Sequence, residues 1–325
     1  MTAPALLPFD LILGADARLA GWRSAVGAPL AVDAPRGPDA GSPSGGAGVS
    51  FLILAWNLWI GRGRLDELIA RLRTQNDLPL VVLAQEAYRS DESVPRRATA
   101  YAASDFSQRS FPERDIGATA RELGLHLRYA PSMRNGAHRS DRGNAILSTF
   151  PLEDSVAWEL PFGLQRRVAL AGTVRLPDGR SLRVCSAHLD PRGGSARDLL
   201  GVLGRGGQAQ AVLDQLDREP ASTVLGADLN LARGRRERAF RVFTHAGFVH
   251  GVPERAPAWP HTYHRMPRLL LDWLLVRDPA RLIAGLEIER VDEEPRDRGP
   301  YVFGSDHHPL LARVTLAGPL LPGAA

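Results

Sequence analysis

The chain is punctuated by short, unbroken apolar runs, each closed by a polar residue or a turn. Phe51-Leu52-Ile53-Leu54-Ala55-Trp56 and Leu80-Val81-Val82-Leu83-Ala84 are the clearest. Short apolar runs bounded by turn residues predict strands. The same reasoning predicts strands over Ser50–Trp56, Leu80–Ala84, Asn144–Ser148, Val168–Arg175, Leu182–Ala187, Ser222–Gly226, Leu270–Val276 and Leu311–Leu316. Elsewhere the period lengthens. Leu65, Leu68, Ile69 and Leu72 fall at i, i+3, i+4 and i+7, one apolar face of a helix over Leu65–Arg73. Further helices are predicted over Ile116–Leu123, Gln208–Leu216 and Glu237–Ala246, with Gly124 and Gly247 where C-terminal caps belong. Val168 to Ala187 forms a hairpin around Pro177-Asp178-Gly179. Strands that alternate with helices in places and form hairpins in others predict mixed sheets with helices outside, an α/β sandwich.

The 325 residues are enough to bury a full core. Asp33 to Ser50 is rich in Gly, Pro, Ala and Ser and reads as flexible. The expected organisation is therefore an N-terminal extension over 1–49, partly flexible, a single catalytic domain over 50–317, and a tail over 318–325. All 40 basic residues are Arg and none is Lys, while the net charge is only +4. That pattern reflects a compositional bias more than a nucleic-acid footprint. Cys185 is the single cysteine, so no intrachain disulfide can form, and its apolar neighbours make it a core thiol rather than a nucleophile. No apolar run reaches 18 residues, so no membrane span is expected. The weak apolar stretch Ala5–Leu13 is interrupted by Pro8 and Asp10 and follows no basic residue, which argues against a signal peptide. A cytoplasmic location is expected, with secretion left open. No obligate protein partner is evident, and the absence of a Gly-x-Ser-x-Gly elbow argues against a serine hydrolase.

Polar clusters sit at the ends of the strand-like runs. In order they are Asn57, Gln85-Glu86, Gly143-Asn144, His188-Leu189, Asp228-Leu229-Asn230, Asp272-Trp273 and Ser305-Asp306-His307. Each alone is weak. Together, in this order over roughly residues 50 to 316, the set resembles the endonuclease/exonuclease/phosphatase superfamily, the DNase I-like metal-dependent phosphoesterases. The resemblance implies a four-layer α/β sandwich, two packed mixed sheets flanked by helices, with the catalytic groups gathered at one end.

It also implies roles. A divalent ion, Mg²⁺ with Mn²⁺ as a substitute, would offset phosphate charge. By resemblance Glu86 is the best metal ligand, Asn57 contributes a carbonyl oxygen or orients the ion's water, and Asp306 is a further ligand. His307 contacts the scissile phosphate, held in its charged form by Asp272. Asp228 orients or deprotonates the attacking water. Asn230 and Asn144 donate to non-bridging oxygens, and His188 binds the phosphate or protonates the leaving oxygen. Set against these are blander readings: Glu86 as a surface carboxylate after a strand, His188 as a satisfied strand-end histidine, Trp56 and Trp59 as packing beneath the site. His308 reads as structural or as part of the rim. Thr262-Tyr263 reads equally as substrate rim or as loop packing.

Trp59 stands where the abasic-site endonuclease branch carries a carboxylate, and that branch lacks the histidine supplied by His188. The chain thus looks more like the DNase I, sphingomyelinase and phosphatase branches. Arg62, Arg64, Arg89, Arg134, Arg139, Arg142, Arg192, Arg197, Arg233, Arg235 and Arg236 lie near the strand ends. They would either ring the site with positive charge or merely reflect an Arg-rich chain. The expected activity is in-line hydrolysis of a phosphodiester or phosphomonoester. The substrate would be an anionic phosphoester: nucleic acid, lipid headgroup or small phosphorylated molecule. A DNA or RNA endo- or exonuclease is the alternative within the class, and a non-catalytic phosphate-binding relative the alternative outside it.

Overall fold

The computed structural model describes residues 2–8, 18–35, 48–97, 114–193, 196–252, 261–293 and 301–318. Two seven-stranded mixed sheets pack face to face with helices outside them. The first sheet has the order β1 (Ala5–Leu7), β7 (Leu152–Glu159), β8 (Val168–Arg175), β9 (Ser181–His188), β10 (Thr223–Asp228), β12 (Asp272–Arg277), β11 (Val249–His250). The second has the order β13 (Ile283–Arg290), β14 (Leu310–Leu316), β3 (Ser50–Asn57), β4 (Leu80–Arg89), β6 (Asp141–Ser148), β5 (His126–Arg134), β2 (Leu30–Val32).

The unbroken apolar runs have a direct cause. In β3, Phe51, Ile53 and Ala55 face the opposing sheet, while Leu52, Leu54 and Trp56 face helix α2 (Leu65–Gln75) and α3 (Ile116–Glu122) in a second cluster. A central strand of such a sandwich has no solvent side, so both of its faces must be apolar. Helices α4 (Val202–Leu216) and α5 (Arg238–His245) close the other outer face with Ala209, Val212, Leu216, Phe240 and Phe243. Gly124 and Gly247 are left-handed, with φ of 65° and 87°, as their cap positions require. Helix α4 begins at Val202, six residues before the apolar pattern emerges, because Gly204, Gly206 and Gly207 dilute its first turns.

Where the two sheets meet, Gly226 of β10 allows the closest approach. A Cβ there would lie 2.8 Å from the Cβ atoms of Ala55 and Leu83. Gly226→Ala is expected to cost about 1–3 kcal/mol by overpacking, read as a lower urea midpoint at unchanged slope.

The N-terminal residues belong to the sandwich. β1 pairs parallel with β7, and β2 pairs antiparallel with β5, so the segment supplies one edge of each sheet. Between them helix α1 (Arg18–Arg23) buries Leu19 and Trp22. Gly27 N–H donates to Asp141 Oδ2 at 2.8 Å, and the Asp141 carboxylate also holds Arg89 and Tyr129. Three-residue strands carry no readable period, so sequence showed only an extension. The expected flexible stretch falls mainly on residues 36–47, outside the described residues, as does 319–325 of the expected tail. Cys185 is fully buried within β9, and burial pushes its thiol up to about 12, as befits a core position. Among the described residues, no helix is long and apolar enough to cross a membrane.

Candidate active site

Strand register builds the site. β9 runs parallel to β10, and β12 runs antiparallel to it, so that His188, Asp228 and Asp272 are direct cross-strand partners in one row at the end of the first sheet. On the facing sheet, β3 ends with Asn57 opposite Gln85 of β4, which continues beyond it. The next residue, Glu86, sits in a bulge against β6 and has φ of 50°. A left-handed non-glycine residue in a bulge re-aims its side chain, here toward the cleft. The Ser305-Asp306-His307 segment reaches the same place. Ser305 Oγ donates to the Asn57 carbonyl at 2.7 Å, and the His307 carbonyl accepts from Trp56 Nε1 at 2.8 Å. These groups meet in an open cleft of about 410 Å³ that Asn57, Glu86, His188, Asp228, Asn230, Asp306 and His307 all line.

The hydrogen bonds join the two sheets. Asn57 Nδ2 donates to Asp228 Oδ2 at 2.9 Å, while its Oδ1 accepts from Trp59 N–H. Asp228 Oδ1 accepts from Asn230 N–H at 3.0 Å, and His188 Nε2 lies 3.3 Å from Asp228 Oδ2. His307 Nδ1 and Asp272 Oδ2 are 2.7 Å apart. The Asp272 backbone is fixed in turn, since Thr262 Oγ1 accepts from both Leu271 N–H and Asp272 N–H. His307 is 3.9 Å from Asp306, so its partner is the distant Asp272 and not its neighbour.

Electrostatics separate the roles. Burial opposes a charge on His307, but Asp272, followed by Asp228 and Asp306, overrides it and raises the imidazole to about 10. Burial and the nearby Asp272 push the Asp228 carboxyl up to about 7. Burial, with Arg167, His307 and Arg142 close by, drives His188 well below its ordinary value and leaves it neutral. Burial also raises Asp306 to about 6, against the pull of His307 and with a further push from Glu86.

The chain matches the family model described as the Endonuclease/Exonuclease/phosphatase family over residues 54–307. It belongs to that family. No curated protein sequence matches it. Among solved structures, an endonuclease/exonuclease/phosphatase from Beutenbergia cavernae superimposes with a TM-score of 0.58 at 18% identity, covering 84% of this chain and 73% of that one. The human Nocturnin catalytic domain gives 0.55 at 16%, covering 89% and 98%. TDP2 from Caenorhabditis elegans gives 0.52 at 15%, covering 82% and 75%. At these identities the likeness is one of fold.

Endonuclease/exonuclease/phosphatase proteins generally depend on a divalent metal, and this chain's residues fit one. Asp306 Oδ1 is buried with no hydrogen-bond partner. Glu86 faces the same cleft closely enough to raise the Asp306 pKa. Two carboxylates that repel each other beside an orphaned oxygen are what a hard, oxygen-seeking dication relieves. The Asp228, Asp272 and His307 ligand atoms also lie within 4.8 Å of one another. That trio, however, is already bonded internally around a charged imidazole and is a poor cation site.

Asn144 is not where a phosphate ligand must be. Its Nδ2 donates to the Val168 and Ser186 carbonyls, the second at 3.2 Å, so it ties β6 to β8 and β9 and does not line the cleft. Asn144→Ala is expected to lower stability by about 1–3 kcal/mol, the cost of unsatisfied buried carbonyls. Turnover per folded molecule should stay within a few-fold, which parallel melting and rate measurements check.

The Asn57 amide donates to Asp228 and its Oδ1 accepts from Trp59 N–H, contacts that orient the side chain in the cleft. Asn230 lines the cleft as expected, although its Nδ2 also donates to the Leu189 carbonyl. Trp56 is buried beneath the site, whereas Trp59 forms part of its wall, stacked on Tyr301 at 4.9 Å. Thr262 is buried packing, and Tyr263 lines the cleft, its ring centroid 5.1 Å from that of His307.

Four of the expected arginines are tied to structural partners. Arg89 pairs with Asp141, Arg134 donates to the Ala25 carbonyl, Arg139 to that of Val94, and Arg64 to Glu67. Arg142 does line the cleft. It is joined there by Arg167 and Arg265, which sequence reasoning did not single out. Arg167 Nε donates to Asp190 Oδ1 at 3.1 Å, which leaves a buried Nη1 without a partner. The Arg166-Arg167 pair immediately before the β8 run was the available signal.

Proposed function

We propose that this chain is a Mg²⁺-dependent phosphoester hydrolase that directs a water molecule in line at a phosphodiester or phosphomonoester. One observation carries the reading: a charged His307 braced by Asp272 faces the Glu86 and Asp306 carboxylates across a single cleft. Mg²⁺ held by Glu86 and Asp306, with Mn²⁺ able to replace it, would offset the charge of the phosphate and stabilise charge developing in the transition state. The other roles belong to the protein. Asp228, with a pKa near 7, accepts the proton of the attacking water, and Asn57 and the Asn230 N–H fix its two oxygens. His307 carries positive charge to a phosphate oxygen, and Asp272 keeps that charge in place. Neutral His188 is a hydrogen-bonding group beside Asp228. It becomes an acid toward the leaving oxygen only once an anionic phosphate raises its pKa. Arg142, Arg167 and Arg265 supply an anion-attracting wall.

The test is a panel of plasmid DNA, RNA, sphingomyelin vesicles and inositol phosphates, each with Mg²⁺, with Mn²⁺ and with EDTA. Hydrolysis of at least one substrate that EDTA abolishes and Mn²⁺ restores is the expected outcome, and the substrate cleaved decides between nuclease and headgroup or small-molecule hydrolase. No hydrolysis of any substrate, or rates indifferent to EDTA, would overturn the reading.

A further inference from the structure

Behind the catalytic loop lies a group of residues that the proposed chemistry does not use. His261, His264 and His308 are all buried, and one ring nitrogen from each lies within 4.8 Å of the other two. His264 Nδ1 is 2.9 Å from His308 Nε2. Both neighbouring rings stand edge-on to His308, His264 at 74° and His261 at 81°. On its far side, His308 Nδ1 lies 2.9 Å from Asp292 Oδ1. His261 is 8% exposed, and its Nε2 is buried without a hydrogen-bond partner.

We propose that His261, His264 and His308 form a second metal site, for a borderline-soft dication such as Zn²⁺, that clips the His307 loop to the segment preceding β12. Imidazole nitrogens select such ions over Mg²⁺, which prefers oxygen. Tetrahedral coordination at about 2.0–2.1 Å sets ligand nitrogens about 3.4 Å apart. That spacing falls between the 2.9 Å of the His264–His308 pair and the 4.8 Å outer limit of the group. Asp292 Oδ1, 2.9 Å from the outer nitrogen of His308 but off the angle of a hydrogen bond, stands where a small rotation would complete the carboxylate–histidine–metal arrangement that fixes tautomer and ring orientation. A simple His264–His308 hydrogen bond would leave His261 Nε2 bare, and a shared ion accounts for all three rings. Arg290 and Arg268 are nearby charges that oppose a cation. Arg290 is engaged by Asp292 Oδ2 at 2.9 Å and donates to the His261 carbonyl at 3.0 Å, which offsets it in part.

The position gives the site a purpose. His264 N–H donates to the Asp306 carbonyl, and His308 N–H donates to the Thr262 carbonyl. Thr262 in turn anchors the Asp272 backbone. An ion bridging these strands would lock Asp306 and His307 against Asp272 without touching substrate, so the histidines act as positioning residues.

The probe is Co²⁺ added to the EDTA-treated full chain in excess Mg²⁺. Expected are the visible absorption bands of tetrahedral Co²⁺ at one equivalent, displaced by Zn²⁺, and a higher melting temperature with Zn²⁺ than with Mg²⁺ alone. His261→Asn should abolish the bands, Asp292→Asn should weaken binding about 10–100-fold, and Glu86→Gln should leave them intact. Absence of the bands from wild-type protein, which needs no variant to fold, would overturn the proposal. So would bands lost in Glu86→Gln but kept in His261→Asn.

Discussion

Asp228→Asn is expected to lower kcat by roughly 10²–10⁴, the usual contribution of a positioned general base, while KM changes little. The residue accepts from Asn57 on one oxygen and from the Asn230 N–H on the other, so the substitution removes proton-accepting capacity and, because an amide has a single acceptor oxygen, gives up one of these two hydrogen bonds. The pH profile is the sharper readout. Activity in the wild-type chain should rise with pH as Asp228 ionises near 7 and fall as His307 loses its proton near 10. The contribution of Asp228 to stability should run the other way across the acid range. A carboxyl raised from about 3.9 to about 7 on folding lets the native state keep a proton that the unfolded chain has released. The contribution of Asp228 to stability therefore declines as pH climbs from about 4 to 7. Asp228→Asn should flatten that slope, seen in urea midpoints at several pH values, and should erase the acid limb of whatever activity is left. An acid limb that persists in the variant would reassign the base.

The second large effect concerns the metal. Chelation should cost several kcal/mol of transition-state stabilisation, about 10³-fold or more in rate. Glu86→Gln or Asp306→Asn should reproduce much of that loss. Mg²⁺ at 100 times its Kd should stabilise the folded chain by about 2.7 kcal/mol, visible as a higher melting temperature that both variants lack. The shift should grow with pH through about 6, because below that pH the ion must displace the proton on Asp306. A shift of equal size in Asp306→Asn would move the ligand set elsewhere in the cleft.

The fold was legible where physics wrote it locally. β3, β4 and β10 are buried on both faces, so their runs are unbroken, and α2 shows its face in four residues. β5 was missed because Arg128 and Pro131 interrupt it and Arg134 ends it, the two arginines being buried and donating to carbonyls far along the chain, Leu152 O and Ala25 O. β13 was missed because it is an edge strand, half exposed and carrying Glu287, Glu289 and Arg290. The site divides in the same way. Motif residues at strand ends were readable, since strand ends are where register must put them. Asn144 was misread because residue type does not say which carbonyls an amide will find in space. Arg167, Arg265 and the three-histidine group were not singled out because segments far apart in sequence create their surroundings.

Of the carboxylates proposed for the metal, Glu86 comes from β4 of the second sheet and Asp306 from the loop leading into that sheet's β14, while the row of His188, Asp228 and Asp272 comes from the first. Asn57 to Asp228 and His307 to Asp272 are the stitches between them. Catalysis is thus a reporter of docking. During refolding from denaturant, a species with one sheet formed, or with both formed but not yet packed, would give strand signal by circular dichroism and no turnover. Return of activity should lag return of secondary structure, and Gly226→Ala, which strains only the contact between the sheets, should lengthen that lag.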